Sequence, residues 1–270
     1  MLNKLVEEIS AVIHYQNVVK NVRWEPGSVE VEAQTPAGIR QFRAGRLLVT
    51  LPLGVLKTNG VGSVTFSPSL AHKTDPISNL EIGAVVKITL HFRQAFWRED
   101  FGFLHSADPW LPTWWTGQRP GILTGWAGGP RAELLAQEHS GTILEQALHT
   151  LSILFKTEPT RIRELLVSSY YHDWIKDPFS RGAYSYTPVG MMARPRRLAK
   201  PIEHTLFFAG EATDSAGDQG TVHGALSSGK RAAKRMLATL RQTRKRFNQA
   251  RITALTLPGC AYFPRAVSPE

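Results

Sequence analysis

A mixed α/β fold of the α+β kind is what this 270-residue sequence predicts, and three observations carry the prediction. Alternating apolar and polar residues fill much of the first third. Longer segments further on carry helical spacing. Near the end, a wholly apolar stretch runs through an acidic, glycine-rich loop into a helical pattern. Hydrophobic residues make up 42% of the chain, enough to build one large domain or two small ones with their own cores.

The opening "MLNKLVEEISAVIHY" reads as an amphipathic helix and lacks the basic-then-apolar pattern of a signal peptide. "VVKNVRWEPGSVEVEAQTPAGIRQFRAGRLLVTLP" alternates, with turn signals at Pro26-Gly27 and Pro36-Ala37-Gly38, and predicts a meander of short strands. "RLLVTLP" predicts a buried strand stopped by Pro52, followed by "LPLGVLK" as a turn. In "GAVVKITLHF" the residues Ala84, Val86, Ile88, Leu90 and Phe92 share one face, so Lys87 points away from the main apolar stripe. Five tryptophans crowd the irregular stretch between Trp97 and Trp126, a composition that suits a pocket wall, an interface or loop packing. Helical patterns follow in "AELLAQEHSGTILEQALHTLSILF" and "TRIRELLV".

"TLFFAG" then predicts a buried strand, "EATDSAGDQG" a loop, and "TVHGALSSGKRAAKRML" a helix with Val222, Leu226, Ala233 and Leu237 on one side. Small residues at 224, 225, 228, 229 and 232 thin its inner face, a sacrifice of helix propensity that close packing offsets. Gly217 and Gly220 leave room for a ligand near the backbone. Thr221 stands at the helix start, where free N–H groups and the positive dipole end favour an electron-rich group. "GALSSGKR" approaches a phosphate-loop pattern, but Arg231 replaces the required hydroxyl and the match lies inside a helix.

Several function classes drop out. The single cysteine, Cys260, excludes an internal disulfide framework, and the nine histidines show no metal-ligand spacing. No apolar run approaches the roughly 20 residues of a membrane span, and a cytoplasmic setting is the expectation. The net charge of +10 is concentrated: from Gln219 onward ten Lys and Arg face one acid, Glu270, and the remaining residues hold 22 basic and 21 acidic groups. That distribution reads first as the solvated face of a helix, so nucleic acid is not the expected partner.

"LFFAGEATDSAGDQGTVHGALSSGKRAA", with "LLVTLPLGVLK", "GAVVKITLHFRQAFW", "LTGWAGGP" and "WIKDPFSRGAYSYTPVG" in that order, resembles the flavin-containing amine oxidases, which include monoamine and polyamine oxidases. The resemblance covers roughly residues 1–240. It implies FAD as cofactor, a small-molecule amine as substrate and O2 as electron acceptor, giving hydrogen peroxide. It implies that 1–57 belong to an FAD-binding domain, 58–200 to a substrate-binding domain with a mixed sheet, 201–240 to the FAD-binding domain again, and 241–270 to a basic extension.

Residue by residue, Lys87 matches a lysine that faces flavin N5 through a water. Trp174 and Tyr184 match aromatic residues beside the flavin, Tyr184 being one wall of a substrate cage. Gly210, Glu211, Gly220, Thr221 and Val222 match positions along the FAD, and Val19 matches a residue whose backbone meets adenine. Thr221 stands where monoamine oxidases have a second cage tyrosine, a departure shared with animal polyamine oxidases.

The G-x-G-x-x-G turn that seats a dinucleotide pyrophosphate is absent: "GVGSVT" at Gly60 lacks the third glycine and "GWAGGP" at Gly125 has the wrong spacing. The sequence therefore reads as the later part of an amine oxidase with an incomplete FAD-binding domain. It is expected to be a fragment, or one half of a site completed by a partner chain. The alternative from a different class is a non-catalytic interaction module using the basic C-terminal segment.

Overall fold

The computed structural model describes residues 7–8, 11–107, 110–117 and 119–255, with side chains through 241. The opening helix expected over 1–15 lies largely outside these residues, and from residue 11 to the first strand the chain forms turns and bends. The basic extension's side chains beyond 241 also lie outside them.

Strands β1 (Val18–Glu25), β2 (Ser28–Thr35) and β3 (Gly38–Ala44) form the antiparallel meander. Glu25 pairs with Ser28 and Thr35 with Gly38, so both connections are two-residue turns. Gly27 sits at φ +83, a value the turn requires and other residues resist. Strand β4 (Leu47–Val49) leaves the meander. The next segment, expected as a turn, is a short helix α1 (Leu53–Lys57). Pro52 precedes it with the φ a helix entry tolerates, and Gly54 is required inside it: a Cβ there would stand 2.4 Å from the Arg181 carbonyl oxygen. Strand β5 (Thr65–Ser67) then joins β1 in parallel.

After helix α2 (Thr74–Asn79) and strand β6 (Glu81–Gly83) comes the larger sheet. Its strands are β7 (Val85–Phe92), β8 (Phe103–His105), β9 (Thr113–Thr116), β10 (Ile122–Gly128) and β11 (Leu166–Tyr171), in the order β11-β7-β10-β9-β8, every pairing antiparallel. Helices α3 (Pro130–Leu135), α4 (Ser140–Phe155) and α5 (Pro159–Leu165) lie between β10 and β11 in the chain. The helical run read as one segment is two, with α3 ending before a turn at Ala136 and Gln137. Val86, Ile88, Leu90 and Phe92 pack with Trp114, Leu123, Leu135, Ile143, Leu151 and Ile162 into one buried cluster. The alternation in β7 thus sends four side chains into this core and turns Lys87 out of it.

Strand β12 (Tyr184–Tyr186) pairs with β6, and helix α6 (Arg194–Leu198) follows. Strand β13 (Leu206–Phe208), buried at all three residues, pairs in parallel with β4. A second core forms here from Val22, Val29, Val49, Ile202, Leu206 and Phe208. The chain then makes a 3₁₀ turn at Glu211–Thr213 and enters the long helix α7 (Val222–Leu255). Gly224, Ser228 and Ala232 are its buried positions among the described side chains, and they lie on the small-residue face. The larger apolar side chains point outward, with Val222 62% and Leu237 55% exposed.

Candidate functional site

The two parallel strands β4 and β13 end at one place. Beyond their carboxyl ends, Thr50, Leu51, Ala209 and Gly210 line a cavity of about 470 Å3. Carboxyl ends of parallel strands are where open α/β sheets bind ligands, because the chain departs from the sheet there and leaves a crevice. Val49, Leu53, Leu56, Leu198 and Phe208 give the cavity apolar walls, and Lys87, Trp126, Trp174, Tyr184 and Glu211 complete it.

Lys87 reaches the cavity because β7 alternates. Its cross-strand partner on β10 is Trp126, itself a wall residue. Among the described residues no protein group accepts a hydrogen bond from the Lys87 ammonium or pairs with it. Its donors are uncommitted.

Tyr184 is positioned by the absence of side chains beneath it. It pairs across strands with Gly83, where a Cβ would lie 3.1 Å from the ring, and a Cβ on Gly220 would lie 3.5 Å from it. Two glycines thus hold the phenol ring close to the backbone. Trp174 lies in a loop tied by two aspartates. Asp173 accepts hydrogen bonds from the backbone N–H groups of Ile175 (3.1 Å) and Lys176 (3.0 Å), and Asp177 from that of Phe179 (2.8 Å). His172 lies 2.9 Å from the Asp177 carboxylate and 4.4 Å, centroid to centroid, from the Trp174 ring. The Phe179 N–H and then the His172 imidazole hold the Asp177 carboxyl below its usual range.

Glu211 is bound by the protein itself. Its carboxylate accepts from the backbone N–H of Ser185 (3.1 Å), the Ser185 hydroxyl (2.7 Å) and the backbone N–H of Gly220 (2.8 Å). Gln219 extends the network, donating to Ser185 Oγ at 2.9 Å. Strand β12, with Tyr184 at its start, is thereby fastened to the loop before α7. Asp214, 4% exposed, ties the same loop by accepting from the N–H groups of Ala216 and Asp218. Arg231 donates from α7 to Thr213 and Phe208, and burial lowers its pKa.

The structure therefore brings Lys87, Trp174, Tyr184, Gly210 and Glu211 to one cavity, with Gly220 against Tyr184 and Glu211. Thr221 and Val222 do not line it. Thr221 caps α7, its hydroxyl accepting from the Gly224 N–H at 3.0 Å, and both residues are exposed. Val19 sits in β1 against the second core, away from the cavity lining. Sequence reasoning missed Leu53 and Leu56 of α1 as wall residues, and Ser185 as the partner of Glu211, for which the chain carries no local signal. Trp126 was visible only as one tryptophan in a crowded stretch. Among the described residues no cluster of His, Cys, Asp and Glu could hold a metal, and no helix is long and apolar enough to cross a membrane.

The cavity is an apolar slot at paired parallel strand ends, lined by the aromatic rings of Trp126, Trp174, Tyr184 and Phe208 and by the Lys87 ammonium. The fold is shared with a putrescine oxidase redesigned in its cofactor binding, at TM-score 0.72 and 20% identity over 88% of this chain and 52% of that chain. The chain belongs to the flavin containing amine oxidoreductase family, which it matches over residues 1–237. It is 35% identical over 202 residues to polyamine oxidase 4 of Oryza sativa subsp. japonica, covering 71% of this chain and 39% of that protein. It is 29% identical over 252 residues to lysine-specific histone demethylase 1 homolog 3 of Arabidopsis thaliana, covering 89% of this chain and 15% of that protein. The chain thus spans well under two thirds of either relative.

Proposed function

We propose that this chain forms the ring-facing and substrate-facing side of an FAD-dependent amine oxidase site. The observation that carries the reading is the convergence of Lys87, Trp174, Tyr184 and Gly210 on one apolar cavity. The residues fit a flavin. Gly210 adopts φ +120 with nothing within 4 Å of an added Cβ, so open space lies over its backbone. The slot's walls are apolar and its uncommitted donor is cationic, a combination that suits a flat ring bearing acceptor atoms. Bound there, the flavin would supply a two-electron acceptor for the carbon next to an amine nitrogen.

The chain's own residues do the rest. Trp174 and Tyr184 present π faces that orient the amine, neutral or cationic. Leu51, Leu53, Leu56 and Phe208 exclude water from the slot. Lys87 offers N–H donors toward the reacting region, where a water can be held. Glu211 fixes Tyr184 through Ser185 and Gly220. The net change is oxidation of the C–N bond to an imine, hydrolysis of that imine by water, and reduction of O2 to hydrogen peroxide.

The pyrophosphate-binding unit comes from polypeptide outside these 270 residues, continuous with this chain or separate, because no G-x-G-x-x-G turn occurs within them. The test is to supply FAD and a polypeptide bearing that unit, remove unbound flavin, and add putrescine or benzylamine without oxygen. Retained flavin absorbance that bleaches with either amine supports the reading. Retained flavin that bleaches with dithionite alone contradicts amine oxidation.

A further inference from the structure

Lys73 is 2% exposed and lies outside the cavity lining. Burying an ammonium costs several kcal/mol unless hydrogen bonds replace its hydration. Here the replacement comes from main-chain carbonyls. Lys73 Nζ donates to the carbonyl oxygens of Arg197 and Leu198, each at 2.9 Å, and to that of Lys200. These carbonyls lie at and just beyond the C-terminal end of α6, where a cation is favoured. Arg235 of α7 reaches the remaining carbonyl, that of Ala199, at 3.4 Å. The same Lys73 ammonium stands 4.5 Å from the centroid of the Phe208 ring.

No carboxylate pairs with Lys73 among the described residues. Its neighbour Asp75 is engaged by Arg194 and Arg197, each at 3.1 Å. The ammonium is held by directional carbonyl contacts, which fix its position more narrowly than a mobile counter-ion would. Two of the groups it touches, Leu198 and Phe208, are cavity walls.

We propose that Lys73 is a positioning residue for the cavity, bracing Leu198 and Phe208 from outside it so that the slot keeps its width. Phe208 ends strand β13, and Ala209 and Gly210 follow it along the cavity lining. The proposal concerns the wall's shape and holds whatever ligand enters.

The experiment is amide hydrogen exchange on the full chain carrying Lys73→Met or Lys73→Arg. Methionine fills similar volume without donors, and arginine keeps both charge and donors. In Lys73→Met, exchange is expected to quicken about tenfold in segments 194–200 and 206–213, with the meander at 18–44 changed less than twofold. Lys73→Arg is expected to recover at least part of the protection. Unchanged exchange in both segments, equal acceleration in the meander, or no recovery with arginine would overturn the proposal. Should Lys73→Met fail to fold, Lys73→Gln is read by the same pattern, with acceleration confined to the two wall segments expected and any other distribution overturning it.

Discussion

The two halves of this molecule bury apolar side chains in different ways. The antiparallel sheet β11-β7-β10-β9-β8 and its helices close a core in which Trp114, Leu123, Leu135 and Ile143 are fully buried. The parallel pair β4 and β13 has only two strands, and its chain ends open onto a cavity. It is held by polar fastenings: Glu211 to Ser185 and Gly220, Arg231 to Thr213, Lys73 to the end of α6. The first region rests on one large packed core, the second on a smaller core supplemented by directional bonds. A binding slot has to keep apolar walls apart, which packing alone would close, so directed hydrogen bonds are the means by which the second region stays open.

Substitutions should separate the two. The largest effect is expected in the closed core: Trp114→Ala removes a fully buried ring whose Nε1 donates to the Leu111 carbonyl at 2.7 Å. It should cost about 3–5 kcal/mol in denaturant unfolding. A loss below ~1 kcal/mol would show that the sheet core is not the main source of stability.

Next comes Gly224→Ala, where the added Cβ would meet the Asp218 carbonyl oxygen at 2.2 Å. Overpacking of roughly 3 kcal/mol is expected. It should loosen the loop at 214–220 more than the sheet, as read by limited proteolysis, and cutting confined to the sheet would break the comparison.

Glu211→Gln should do less, about 1–2 kcal/mol, by turning an NH2 group toward donors that now meet a carboxylate. Its mark is faster exchange at the Ser185 and Gly220 amides with little change in melting temperature. A uniform loss of protection would mean that Glu211 supports the whole fold and has no particular tie to Tyr184.

A pH trend probes the second region without disturbing its packing. Burial, and then the nearby Lys200, lower the Lys73 pKa from 10.5 to about 8. Between those values the unfolded chain binds more proton than the folded one, so this residue's contribution to stability rises with pH across that window and is flat below it. The stability of the natural chain relative to Lys73→Met should therefore improve from pH 8 to 10.5. A flat or falling difference would contradict the lowering of the Lys73 pKa by burial.

Much of this was legible in the sequence, for physical reasons. The alternation of β7 turned Lys87 off the core face, and the small residues at 224, 228 and 232 marked the packed side of α7. Both follow from the repeat of a single element. Lys73 was not legible, because it stands in the polar run "SLAHKTDP", where nothing local distinguishes a buried lysine from a solvated one. The Glu211–Ser185 bond joins residues 26 apart in sequence, a relation that only the packing of β12 against the 3₁₀ turn creates. Helix α1 was read as a turn since Pro52 and Gly54 are turn residues by habit. Here Gly54 is required by the close approach of the Ser180 and Arg181 carbonyls.

The most direct test of the account is to titrate the purified chain separately with lumiflavin, which is the ring system alone, and with ADP, following flavin fluorescence for the first and heat of binding for the second. The account predicts saturable lumiflavin binding, weakened about tenfold by Tyr184→Ala through lost aromatic contact, and no binding of ADP. Binding of ADP without lumiflavin would contradict the assignment of this cavity to the flavin ring.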